Sequence, residues 1–65
     1  MKNENRYEVC SYRGDVVIAY VATLRDAMKV ADRNRRSHVN GCAVIDRSID
    51  TFAVAAKIVY TTSAI

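Results

Sequence analysis

The sequence contains no proline and no tryptophan, and only two glycines, two cysteines and one histidine among its 65 residues. Each scarcity excludes something. Two glycines, Gly14 and Gly41, do not make a glycine-rich phosphate loop. Cys10, Cys42 and His38 lack the paired spacing of a zinc site, so no metal is expected. A histidine base would have to work alone or with a thiol distant in sequence, so no catalytic residue is assigned. No apolar run approaches the roughly 20 residues of a membrane-spanning helix. The opening MKNENRYE is polar and has no apolar core of a signal peptide. The expectation is therefore a cytoplasmic chain whose cysteines are small buried thiols rather than a disulfide framework.

What is present describes a small folded domain. Hydrophobic residues make up 51% and charged residues 26%, a balance that disfavours disorder. A chain of this length buries only about 60% of its unfolded surface, which leaves no room for a large enclosed active site. The expectation is one domain over 1–65, with 1–5 and 61–65 frayed. Residues 6–12 read as a strand with Tyr7 and Val9 on one face, and Arg13-Gly14-Asp15 as a turn. That tripeptide spells a cell-adhesion motif, but a hairpin turn already accounts for its glycine and aspartate. Residues 16–22 form a β-branched and aromatic run that suits a central strand covered on both faces.

Thr23 opens a helix. Thr23-Leu-Arg-Asp26 approximates a capping box, with aspartate in place of the longer glutamate. Leu24, Ala27, Met28, Val30 and Ala31 fall on one side, and the helix ends near Arg35 or Arg36. Asn40-Gly41 closes an exit loop. Residues 42–47 read as a third strand, 48–51 as a turn and 52–60 as a fourth strand. In that last strand Phe52, Val54, Ala56, Ile58 and Tyr60 alternate onto the face that meets the helix. The sum is an α+β fold, β-β-α-β-β, in which an antiparallel sheet of about four strands packs on one amphipathic helix. One helix covers one face, so the other face or a strand edge is open to self-association as a homodimer.

Charge is patterned. Ten lysines and arginines oppose seven acidic residues, a formal net charge of +3. Arg25, Lys29, Arg33 and Arg36 fall within about 80° of one another, opposite the apolar side of the helix. Such a stripe serves either as a solvated face or as a contact surface for an acidic protein or a nucleic acid. The five aromatics lie on strands, away from the stripe, which does not favour base stacking. Asp46 and Asp50 straddle a turn, where capping is the ordinary role of such carboxylates.

The passage Ala22-Thr-Leu-Arg-Asp-Ala-Met-Lys-Val-Ala-Asp32, with Gly41-Cys-Ala-Val44 after it, resembles the strand-to-helix passage and following strand of the small RNA polymerase inhibitors of T7-like phages. The Leu-x-x-Ala-x-x-x-Ala helix is also similar to that of some small type I anti-CRISPR proteins. The resemblance covers roughly 15–47; the C-terminal strand is additional. It implies a non-catalytic, host-directed inhibitor of a nucleic-acid-processing complex, needing no cofactor. The resemblance carries over the class and no binding residue; on the charge pattern the partner-contacting residues would be Arg25, Lys29, Arg33 and Arg36, with Arg47 the nearest basic residue on the third strand. The alternative reading is a small basic module that binds DNA or RNA directly.

Overall fold

A computed structural model describes residues 6–14, 16–37 and 41–62. Four strands, β1 (Tyr7–Ser11), β2 (Val17–Val21), β3 (Cys42–Asp46) and β4 (Ile58–Thr61), form one antiparallel sheet in the order β2-β1-β3-β4. The helix α1 (Leu24–Asn34) crosses β1, β2 and β3 on one face and continues into a 3-10 turn, Arg35–Ser37. The α+β class and the β-β-α-β-β succession follow the sequence pattern, with one short helix, α2 (Val54–Lys57), added before β4.

The first hairpin is closed from the Ser11 end. Its N–H donates to the Val16 carbonyl at 2.8 Å, and its hydroxyl accepts the Val16 N–H at 3.3 Å. Gly14 adopts φ +82°, a conformation that costs other residues steric energy. At the N-terminus of α1 the hydroxyl half of the capping box forms: Thr23 Oγ1 accepts the Asp26 N–H at 3.2 Å. An 11-residue helix is marginal in isolation, so its stability comes from the face it buries. Ala27 and Ala31 are fully buried against Val9, Cys42 and Val44, with Tyr7, Ile18, Val21, Leu24, Val30 and Tyr60 packed around them. The two alanines let the helix approach the sheet closely. Val9 and Val44 each contribute about 1.5–3 kcal/mol by leaving water.

Three expectations are corrected. The second strand is not central and covered on both faces: β2 lies at the sheet edge, and because the one long helix covers a single face, Val17 and Tyr20 on the other stay half-exposed. The fourth strand does not run over 52–60. Residues 54–57 are helical, and only Ile58–Thr61 pair with β3. The reason lies in β3, which turns away after Asp46: the Arg47 N–H bonds the Arg6 carbonyl at 2.8 Å, and Ser48 folds back on Asp46. Residues before Ile58 have no strand to pair with, and their alanines favour helix over strand. The alternation of large residues therefore fails. Tyr60 meets the helix side, Ile58 pairs with Ile45 on the other face, and Phe52 is entirely exposed. Third, Thr61 and Thr62 are not frayed. Thr61 pairs with Ala43, and Thr62 brackets Cys42 by donating to its carbonyl at 2.8 Å and accepting its N–H at 3.0 Å. The expectations for Asp15, His38, Asn40, 1–5 and 63–65 lie outside the described residues.

Candidate functional site

The helix position that buries Ala27 and Ala31 turns Arg25, Lys29 and Arg33 to the opposite side, and all three are exposed. They stand at i, i+4 and i+8, so their α-carbons are about 6 Å apart along the axis. Arg36 extends the row from the 3-10 turn and is also exposed, whereas Arg35 beside it is half-buried. The ridge thus brings together four of the five residues singled out from the sequence. Its flanks carry Asp26 and Asp32. Asp32 accepts the Tyr60 O–H at 2.8 Å, which ties α1 to β4, the strand the helix does not otherwise cross. The neighbouring carboxylate holds the phenol proton, raising the Tyr60 pKa above its ordinary value.

Arg47 is not part of this ridge. It lies in the turn after β3, with its guanidinium 4.9 Å from the centre of the Tyr20 ring. Tyr20 pairs with Glu8, whose side chain alternates away from the half-buried Tyr7 and the buried Val9, so Arg47 belongs to the sheet face remote from α1. The pleat and the register define that face as two rows across the sheet. One is Tyr20, Glu8, Ile45 and Ile58; the other is Val17, Cys10, Ala43 and Thr61. Tyr20 and Val17 are each 47% exposed. Cys10 and Ala43, at the centre of the short row, are buried but stand apart from the cluster under the helix.

The two thiols occupy opposite faces, since Cys42 packs under α1 and Cys10 does not. Both are free and buried. Burial raises both pKa values, and the Cys10 thiol donates to the Ala43 carbonyl at 3.7 Å. Thiols of this kind pack rather than attack. Asp46 is likewise occupied. It accepts two bonds from Arg6, at 3.0 and 2.9 Å, and two from Ser48, at 2.9 Å from the N–H and 2.7 Å from the hydroxyl. These donors hold its carboxyl well below the usual carboxylate range, with the Arg6 bonds first. This is the capping role expected of Asp46, strengthened by an ion pair across 40 residues that the sequence did not announce. Among the described residues no three histidine, cysteine, aspartate or glutamate side chains gather as metal ligands, and no helix is long and apolar enough to cross a membrane.

No protein-family model, curated protein or solved structure matches the chain.

Proposed function

We propose that this chain is a small non-catalytic interaction protein that lays its basic helix ridge on an anionic surface of a host nucleic-acid-processing complex and inhibits it by occupancy. The observation that carries the reading is the ridge itself: Arg25, Lys29, Arg33 and Arg36 form an exposed row on the side of α1 turned away from the sheet. Exposed cations in a row accelerate encounter with a negative surface and fix orientation at the rim of an interface. The resemblance of the Ala22–Asp32 passage to phage inhibitors supplies the target class, RNA polymerase or a CRISPR effector. The chemistry asks for no cofactor. A second reading, direct binding to DNA or RNA, draws on the regular rise of about 6 Å between successive cations, a spacing that suits consecutive phosphates.

The experiment is capture from bacterial lysate on the immobilised chain, with and without nuclease, alongside the variant R25E/K29E/R33E/R36E. The expected result is a stoichiometric protein complex that survives nuclease, is lost with the variant, and is inhibited by the wild-type chain when assayed in purified form. Retention of nucleic acid alone, falling log-linearly with salt, would replace this reading by the second. A complex held equally by the variant would remove the ridge from the site.

A further inference from the structure

The outer side of α1 carries more than a row of cations. Lys29 stands at its centre, with Arg25 four residues before it and Arg33 four residues after it. Asp26 lies three residues before Lys29 and Asp32 three residues after it. On a helix the fourth neighbour is rotated by about +40° and the third by about −60°. The cations therefore run along one diagonal of the helix surface and the carboxylates along another, and the two diagonals cross at Lys29. All five residues are exposed.

The ordinary use of such spacings is ion pairing within the helix. It is not made here: among the described residues no ion pair joins any of these five side chains. Their charges are presented outward. Asp32 is also held in position, because its carboxylate accepts the Tyr60 O–H at 2.8 Å. A ligand seated on Lys29 meets a carboxylate anchored from β4.

This pattern discriminates between anions. Third and fourth neighbours on a helix have β-carbons about 5–6 Å apart, less than the roughly 8 Å screening length at physiological salt. A phosphate on Lys29 thus feels both carboxylates as well as both arginines. A phosphodiester strand carries negative charge at every step and has nothing with which to meet Asp26 and Asp32. A protein surface offers both signs, with carboxylates along the line of cations and lysine or arginine beside them.

We propose that the crossed charges make the ridge selective for a protein surface of mixed charge, in which a line of carboxylates is flanked by cations, and that Asp26 and Asp32 exclude nucleic acid from it. This deepens the reading of the ridge as the contact site and rests on that reading.

Fluorescence anisotropy of the full chain with a labelled duplex of about 20 base pairs, at about 50 mM salt, tests the exclusion. The variant D26N/D32N removes both carboxylates and keeps their surroundings: the Asp26 bond to Thr23 is made by its backbone N–H, and an amide oxygen at position 32 still accepts the Tyr60 O–H. E8Q/D50N removes the same charge away from the ridge and is the control. Far-UV circular dichroism verifies that both variants fold. The expected result is weak wild-type binding, tightened about 10-fold or more by D26N/D32N and less than about 3-fold by the control. In nuclease-treated lysate D26N/D32N is expected to retain less of the captured complex than E8Q/D50N does. A wild-type duplex affinity falling with a log–log salt slope of about −3.6, the value for four neutralised phosphates, would overturn the proposal. So would a gain by D26N/D32N no larger than that of the control, or equal capture of one complex by both variants. Absence of any captured complex would instead remove the reading beneath it, while the duplex titration still decides whether the two acids exclude nucleic acid.

Discussion

The two faces of the sheet are made by the same four strands, yet they were given different work. The face under α1 takes Val9, Cys42 and Val44 to full burial around two alanines, and it is finished within the chain. The opposite face takes Cys10 and Ala43 to burial but leaves Val17 and Tyr20 about half in water. A side chain two positions along a strand stays on its face, whereas one position changes it. The placement of each bulge therefore decides which residues are spent on the core and which are presented. In β4 the extra Val59 sends Tyr60 to the helix and Ile58 to the other face.

That comparison is sharpened first by matched deletions. Val44→Ala under the helix is expected to cost about 2–3 kcal/mol, the transfer loss plus the cavity it leaves. Val17→Ala on the open face is expected to stay within about 0.5 kcal/mol. Urea unfolding compares them; equal losses would mean that the face remote from α1 is packed as tightly as the face beneath it.

A second test uses acid. The folded-state pKa of Asp46 is depressed, so the unfolded chain takes up its proton at a higher pH than the folded one does. The stability from this group is present above the ordinary carboxylate value and is lost as pH falls through the depressed one. Thermal melts of the wild-type chain are expected to weaken below about pH 4, while Asp46→Asn starts lower at neutral pH and shows a shallower acid slope. A slope unchanged by the substitution would assign the acid sensitivity to other carboxylates.

The smallest effect concerns the helix that makes the faces unequal. Thr23→Ala removes the hydroxyl that accepts the Asp26 N–H and is expected to cost about 1 kcal/mol. Thr23→Ser should restore most of it. Calorimetry of the three chains is sufficient, and an alanine variant as stable as wild type would show that the cap is replaced by water.

Features encoded within a few residues were legible in the sequence. The hairpin around Gly14, the Thr23 cap, the apolar stripe of α1 and its row of cations all rest on spacings of three or four residues, and each has its counterpart in the structure. What was not legible depends on register between distant strands. The Arg6–Asp46 pair joins residues 40 positions apart, and Tyr60–Asp32 joins residues 28 apart. Neither follows from composition or periodicity. The overextended fourth strand has in part the same origin, because its length was limited by where β3 turns as well as by the helix preference of its own alanines. Arg47 was separated from the other four cations for that reason too: one turn at the end of β3 carries it to the Tyr20 side.

Both edge strands are bulged: β2 carries the extra residue Ile18 and β4 the extra residue Val59. In the language of polymerisation, a sheet grows by adding monomers at two ends, and here each end bears a terminator. Growth in the hydrogen-bonding direction is therefore opposed at both edges of the four-stranded sheet. Deleting either extra residue would remove a terminator, so single-residue deletions in β2 and β4 are the changes by which this sequence would acquire an open-ended product.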